Sequence, residues 1–244
     1  MTVSPLCQVY IGFEPREVAA FAVCRRSLNR HLTRPVPVHG LRLADLQAKG
    51  LYRRPTERRD GRLIDVLSAR SDYDGSISTE HANARFLVPH LARAGWALFC
   101  DSDMLFRANV IRLFDSLDPA MAAYCVKHRY EPVGGVKMDG QMQTRYARKN
   151  WSSFLIFNCD HPANAALTLD LINSLPGRDL HAMSWLDDGQ IGALDPSWNW
   201  LAGVSPGAID PRVVHFTEGC PDMPGYEDTP YADEWRAELS RWAA

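Results

Sequence analysis

Trp96-Ala97-Leu98-Phe99-Cys100-Asp101-Ser102-Asp103-Met104-Leu105-Phe106 is the stretch that decides the fold of this chain. Its first five residues are an apolar run of strand length, and the run ends on two carboxylates one residue apart. In an open α/β sheet, ligands bind in the crevice beyond the carboxyl ends of the strands. Asp101 and Asp103 stand at i and i+2, so in extended chain they project to the same side. Two hard oxygen donors placed there suit a divalent cation, and such a cation commonly holds phosphate oxygens as well. The pattern points to a phosphorylated small molecule, a nucleotide first of all. The plain alternative is a surface turn with two solvated acids.

Working outward, residues 7–12 mix apolar and β-branched side chains and read as a first strand. Gly12-Phe13-Glu14-Pro15 turns the chain, and Pro15 suits a first helical turn. Val18, Phe21, Ala22, Leu28 and Leu32 follow at helical spacings and predict a helix over 15–30, which Pro35 stops. Residues 36–41 read as a second strand. This β-α-β opening favours a parallel sheet. Basic residues with Pro55 and Gly61 predict loops around a short helix over 44–75. Ser78-Thr79-Glu80 caps a helix through Ala82, Phe86, Leu87 and Leu91 that Gly95 ends. Further helices are expected over 110–117, 163–175, 184–194 and 230–242, and strands over 121–126, 153–158 and 213–216. Residues 127–150 carry three glycines and little periodicity, and predict a long loop. With no repeat and no linker, the expectation is one α/β domain over 1–244. It is Rossmann-like, with a mostly parallel central sheet flanked by helices.

Composition sets limits. The 244 residues carry a formal net charge of -2, which excludes a nucleic-acid binder relying on an excess of basic charge. The six cysteines include no C-x-x-C pair and are expected as reduced thiols of a cytosolic protein. The N-terminus lacks the pattern of a signal peptide, and no apolar run approaches the ~18 residues of a membrane span. Peripheral contact with a membrane needs only a surface patch and stays open.

Several segments, in order, resemble a nucleotide-sugar glycosyltransferase of the A-type fold, in particular glycosyltransferase family 8 and its relatives. Val9-Tyr10-Ile11-Gly12 resembles the nucleotide-binding opening. Residues 79–89, Thr79 through Arg85 to Pro89, resemble the helix that carries an arginine before the metal strand. Asp101-Ser102-Asp103 matches the D-x-D motif, and Ser152-Ser153-Phe154-Leu155-Ile156-Phe157-Asn158 resembles the strand beside the donor sugar. Asp187-Asp188-Gly189-Gln190-Ile191 resembles the acidic-glutamine segment, and Val213-Val214-His215-Phe216-Thr217-Glu218-Gly219 the late histidine motif.

The resemblance implies a Mn²⁺ or Mg²⁺ ion on Asp101, Asp103 and His215, the nitrogen favouring manganese. It implies a nucleotide-sugar donor, most simply a UDP-sugar, and a hydroxyl acceptor on a glycan, lipid or small molecule. Tyr10, Ile11 and Gly12 would surround the base. Arg85 would meet the diphosphate or fix an active-site carboxylate. Ser102, Ser153 and Asn158 would line the donor. Asp188, with Asp187 and Gln190, would lie near the anomeric carbon, in a transfer with retention.

One departure stands out: Cys220-Pro221-Asp222-Met223-Pro224 lacks the lysine that the family often places after the histidine. A degenerate module that binds nucleotide or glycan without turnover is therefore a rival. A sugar nucleotidylyltransferase is another, though it would want a glycine-rich basic loop after the first strand. Lys127, Lys137, Arg145, Arg148 and Lys149, with Tyr130, Tyr146 and Trp151, mix basic and aromatic groups suited to an acceptor. Trp198-Asn199-Trp200 is a candidate lining of the acceptor cleft.

Overall fold

The apolar run at 96–100 is a strand at the heart of the protein. The structure, a computed structural model, describes residues 6–70, 73–128, 148 and 150–243. Along the chain the first elements are β1 (Cys7–Gly12), α1 (Val18–His31), β2 (Val38–Leu41) and α2 (Leu43–Ala48). Next come β3 (Thr56–Arg59), β4 (Arg62–Asp65), β5 (Ser76–Ile77), α3 (Val88–Ala92), β6 (Trp96–Cys100), β7 (Met104–Phe106), α4 (Val110–Phe114) and β8 (Ala123–Cys125). The remainder comprises β9 (Phe154–Asn158), α5 (Leu169–Ser174), α6 (Gly177–His181), β10 (Ile191–Ala193), β11 (Trp200–Leu201), β12 (Val213–His215) and α7 (Ala232–Ala243).

Six strands form the central sheet in the order β10-β8-β9-β6-β1-β2. All neighbours are parallel except β9, which runs antiparallel to both β6 and β8. The fold class is thus α/β with a mostly parallel sheet. Every residue of β6 is buried, because both faces of the sheet are covered. Ala97 and Phe99 pack with Phe86, Leu155, Phe157 and Leu180 on one face. Trp96, Leu98 and Cys100 pack with Val9, Ile11, Phe114 and Phe154 on the other. A third apolar cluster joins Val23 of α1 and Trp235 of α7 to Leu105, Val214 and Phe216. It holds the small sheet β11-β12-β7 against the main body.

Four expected elements differ. The helix expected from a Ser78-Thr79-Glu80 cap is instead a turn, then a 3₁₀ stretch at Ala84–Leu87, with α3 only from Val88. Thr56–Arg59, Arg62–Asp65 and Ser76–Ile77 are not loops but the strands of an antiparallel sheet, β3-β4-β5. Its anchor is the fully buried pair of Arg54 and Asp65 (Nη2–Oδ2 2.6 Å, Nε–Oδ1 3.1 Å). Arg54 also donates to the carbonyls of Ile172 and Leu175. The helix expected over 163–175 is broken. A 3₁₀ turn at Pro162–Ala166 precedes α5, whose first turn is capped by the Thr168 hydroxyl. Residues 184–194 do not form one helix either: Asp188–Gln190 is a single 3₁₀ turn and β10 follows. Gly192 makes that edge strand possible, because a Cβ there would lie 2.1 Å from the Tyr124 ring. No described helix is long and apolar enough to cross a membrane.

Candidate metal and nucleotide site

At the carboxyl end of β6 the chain delivers Asp101 into a cationic grip. The Asp101 amide donates to the Ser153 carbonyl (3.0 Å), which locks the end of β6 to the start of β9. Its carboxylate meets Arg85 at 2.9 Å (Nη2–Oδ1) and 3.5 Å (Nη1–Oδ2), and His81 Nε2 at 3.2 Å. Arg85 is itself held, donating to the carbonyls of Ala82 and Ser152 (both 2.8 Å) with its guanidinium over the Phe99 ring. The arginine therefore fixes a carboxylate, one of the two roles left open for it. Burial alone would raise the Asp101 carboxyl; the Arg85 charge and the His81 hydrogen bond outweigh it and hold the group well below the usual carboxylate range. His81, 1% exposed, lies flat on Gly12: a Cβ at that position would sit 2.4 Å from its ring. Its Nδ1 is buried and has no hydrogen-bond partner.

The second half of the site comes from the small sheet. β7 and β12 pair antiparallel with His215 opposite Met104, and the Phe216 amide donates to the Asp103 carbonyl (2.9 Å). This register sets the His215 ring beside the Asp103 side chain. A chain of hydrogen bonds then fixes which ring nitrogen carries a proton. The Asn150 carbonyl can only accept, so the Ser153 hydroxyl donates to it (2.9 Å). The Ser153 oxygen accepts from Asn199 Nδ2 (2.9 Å), leaving Asn199 Oδ1 to face His215 Nδ1 (2.9 Å). His215 Nδ1 must therefore be the donor, which turns Nε2 to Asp103 Oδ2 at 3.3 Å. Asp103 Oδ1 beside it is buried with no hydrogen-bond partner.

A positive charge belongs in that place. A divalent cation would serve Nε2 and the carboxylate oxygens together, whereas a proton would serve one contact. One ligand atom each from Asp101, Asp103 and His215 all lie within 4.8 Å of one another. This N/O donor set fits Mn²⁺ or a similar first-row ion.

Residues not singled out from the sequence complete the electrostatics. Glu17, just before α1, accepts from Ser102 Oγ (3.4 Å), and its carboxyl is pushed up to about 7 by burial and by the Asp103 and Glu14 charges. His128 is pushed down to about 4 by burial and the nearby His215. His181 is pushed down to about 3 by burial and Arg85, and its Nδ1 shares a 2.7 Å hydrogen bond with Ser152 Oγ. His81 lay within the arginine segment already noted. Asn199 lay in the Trp198-Asn199-Trp200 stretch, but no spacing in the sequence links it to His215.

Other expected residues stand elsewhere. Ser153 and Ser102 lie in the cluster, as hydrogen-bonding supports. Asn158 does not: it is opposite Trp96, at the far end of the strands from Asp101, and its amide holds the carbonyls of Pro119 and Met121. The reason is the antiparallel run of β9, which brings its beginning and not its end to the crevice. Ile11 is wholly buried in the core. The Tyr10 hydroxyl donates to Gln8, towards the start of β1, and the ring stacks on His39. Gly12 alone of that trio touches the site, through His81.

Asp187 and Gln190 cap each other's turn, Gln190 Oε1 accepting from the Asp187 amide (3.0 Å). Asp188 is 85% exposed at its side chain and pairs with Arg148 (2.6 Å). The three are not drawn into the Asp101–Asp103–His215 group. Trp198 and Trp200 are buried packing residues, not a cleft lining. Of the basic-aromatic segment, Trp151 takes Lys127 and Arg148 over its ring. Tyr130, Lys137, Arg145, Tyr146 and Lys149 lie outside the described residues.

Comparison with known proteins gives the site its context. No family model matches the sequence. Protein CDI of Arabidopsis thaliana is 37% identical over 241 residues, covering 96% of this chain and 86% of that protein. The chain belongs to the family of this plant protein. Solved structures share its fold at low identity. The bifunctional glycosyltransferase WbbM superposes with a TM-score of 0.62 at 14% identity, over 98% of this chain and 50% of that one. The chain thus spans half the length of WbbM. The galactosyltransferase LgtC, solved with donor and acceptor sugar analogs, gives 0.59 at 14% identity, over 96% of this chain and 95% of that one. GlyE of Streptococcus pneumoniae gives 0.57 at 13% identity, over 99% and 64%. The architecture is that of the A-type glycosyltransferases.

Proposed function

We propose that this protein is a metal-dependent glycosyltransferase, acting as one domain, that moves a sugar from a nucleotide-sugar donor to a hydroxyl acceptor. The observation that carries this is the Asp101–Asp103–His215 group at the mouth of an A-type sheet, with its tautomer set by Asn199 and with Asp103 Oδ1 buried and unpartnered. The cation held there would neutralise charge on the departing nucleoside diphosphate. The chain's own residues do the positioning. Arg85 and His81 hold Asp101 rigid, so that its remaining lone pairs point into the crevice. Gly12 lets His81 close over the end of β1.

A UDP-sugar is the donor that the family 8 resemblance favours, with retention as the stereochemical expectation. The acceptor is a glycan, lipid or small molecule. Asp103→Ala should abolish Mn²⁺-dependent turnover or slow hydrolysis of the donor while the circular-dichroism spectrum stays unchanged. Full Mn²⁺-dependent activity in that variant would sink the assignment.

A second reading is a module that binds the donor without transfer. Support for it is that Asp188 is exposed and paired with Arg148, and that Gln190 is engaged in capping its own turn. Donor binding in Mn²⁺ with no hydrolysis or transfer would select it.

A further inference from the structure

On the outer side of α1 lies a groove of about 790 Å³, separate from the Asp101–Asp103–His215 group. Phe13, Val18 and Phe21 give it an apolar floor, and Val18 is 44% exposed. Five arginines, at 25, 26, 30, 42 and 241, line its walls. Positions 18, 21, 22, 25, 26 and 29 fall on one face of α1 at spacings of three and four, so the face is apolar in its first half and basic in its second. Arg42 extends the basic rim by laying its guanidinium on Phe13, 3.8 Å from the ring centre.

One carboxylate offsets this charge. Glu238 of α7 is buried among Arg30 (2.6 Å), Arg241 (2.8 Å) and Arg26 (3.9 Å). Arg25 and Arg42 are exposed. The chain as a whole has 27 basic and 29 acidic side chains. Set apart this groove with its five arginines and Glu238, and the rest of the protein is net negative by about six charges at neutral pH. The groove is thus a basic patch on a protein whose remaining net charge is negative.

We propose that this face of α1 docks onto a bilayer surface that carries anionic phospholipids. Two signals are needed for useful membrane attachment, an apolar insertion and a basic patch, because neither suffices alone. Both occur here on one helix face. A free phosphate would gain nothing from the Phe13–Val18–Phe21 floor. A neutral bilayer would gain nothing from the arginines. Insertion of the Phe13–Val18–Phe21 floor would orient the docked molecule with α1 inward. Phe13 and Arg42 directly follow the carboxyl ends of β1 and β2, so docking would hold the ligand crevice beside the lipid headgroups.

Vesicle co-sedimentation tests this with the full chain, without sugar nucleotide or metal, so its outcome is independent of the catalytic reading. The protein should sediment with phosphatidylcholine vesicles containing 30% phosphatidylserine and stay in solution with phosphatidylcholine alone. Raised salt should release it. Each arginine near the surface contributes roughly fivefold to partitioning, so Arg25→Gln with Arg42→Gln should weaken it about 25-fold. Val18→Ser, an exposed change that spares the arginines, should also weaken it. Equal partition into both vesicle types, no partition into either, or an unchanged partition of the double variant would overturn the proposal. So would release by millimolar glycerophosphoserine as complete as that by salt, since it would mark a site for a free headgroup and not for a bilayer.

Discussion

Asn199 has no claim on the cation itself, yet its removal should be felt there. It is fully buried and makes two hydrogen bonds of 2.9 Å, one to His215 Nδ1 and one to Ser153 Oγ. In Asn199→Ala, the Nδ1 proton loses its acceptor. The ring is then free to turn or to shift its proton to Nε2, which removes the lone pair aimed at Asp103. Loss of such a support to a ligating histidine typically weakens metal affinity about 10- to 100-fold, or roughly 1.4–2.7 kcal/mol. Stranding buried polar groups costs a further ~1–3 kcal/mol of folding stability, so the variant should melt lower but remain folded. Asn199→Asp separates the two effects. A carboxylate accepts from His215 Nδ1 more strongly and raises the basicity of Nε2, so metal affinity should be kept or improved. Ser153 loses its donor all the same, and stability should still fall.

Calorimetric titration with Mn²⁺, or the electron-resonance signal of free Mn²⁺, measures the first quantity, and urea unfolding without metal the second. If Asn199→Ala binds Mn²⁺ as tightly as the parent, or Asn199→Asp loses affinity as Asn199→Ala does, the tautomer argument is wrong.

Three further perturbations follow from the packing. Arg54→Met leaves Asp65 as an unpaired charge in a fully buried setting and should cost about 3–5 kcal/mol in chemical denaturation, while Asp65→Asn in the same background should recover part of the loss. Gly12→Ala drives a methyl into the His81 ring and should destabilise by about 1–3 kcal/mol while loosening the Asp101 contact; an unchanged melting temperature would contradict the close approach. Acidification has opposing parts. His181 and His128 stay neutral in the fold down to about 3 and about 4, but charge near 6.5 when unfolded, so each withdraws stability as pH falls below 6.5. Glu17, neutral in the fold up to about 7, acts the other way above the ordinary glutamate range. With two protons against one, these three groups lower the unfolding free energy without metal by about 1.4 kcal/mol per pH unit between pH 6 and 5, and His31, lowered by burial and Arg30, adds to the fall. His181→Asn should flatten that slope, and a slope unchanged by it would show that His181 is not buried neutral.

Much of the architecture was legible because periodicity is local. The continuous apolar run of β6 and the stripe of α1 need no knowledge of distant partners, and both elements form within three residues of the expected bounds. The cluster of Asp101, Asp103 and His215 was legible through ordered motifs, which stand in for the tertiary contact that brings residue 215 to residue 103. What escaped is what depends on direction or on partners remote in sequence. Nothing in Phe154-Leu155-Ile156-Phe157-Asn158 states that the strand runs antiparallel, and the sequence therefore suggests its last residue for the crevice where its first belongs. The polar Thr56-Glu57-Arg58-Arg59 has no apolar alternation to mark a strand; its sheet is tied down by Arg54, whose partners are Asp65 and carbonyls more than a hundred residues away. Asn199 reads as a core-flanking polar residue until His215 is beside it.

The pairing of β7 with β12 is three residues long on each side, and between them runs the whole of residues 107–212. An added or deleted residue in that excursion outside its strands and helices lengthens or shortens a path without disturbing which side chains meet. A single residue gained or lost inside 104–106 or 213–215 shifts the ladder by one and turns His215 to the opposite face, away from Asp103. Length variation among this protein's kin should therefore accumulate between the elements of that excursion and stop at the edges of the two triplets. A homologue whose insertion falls inside either triplet would be expected to have given up the cation.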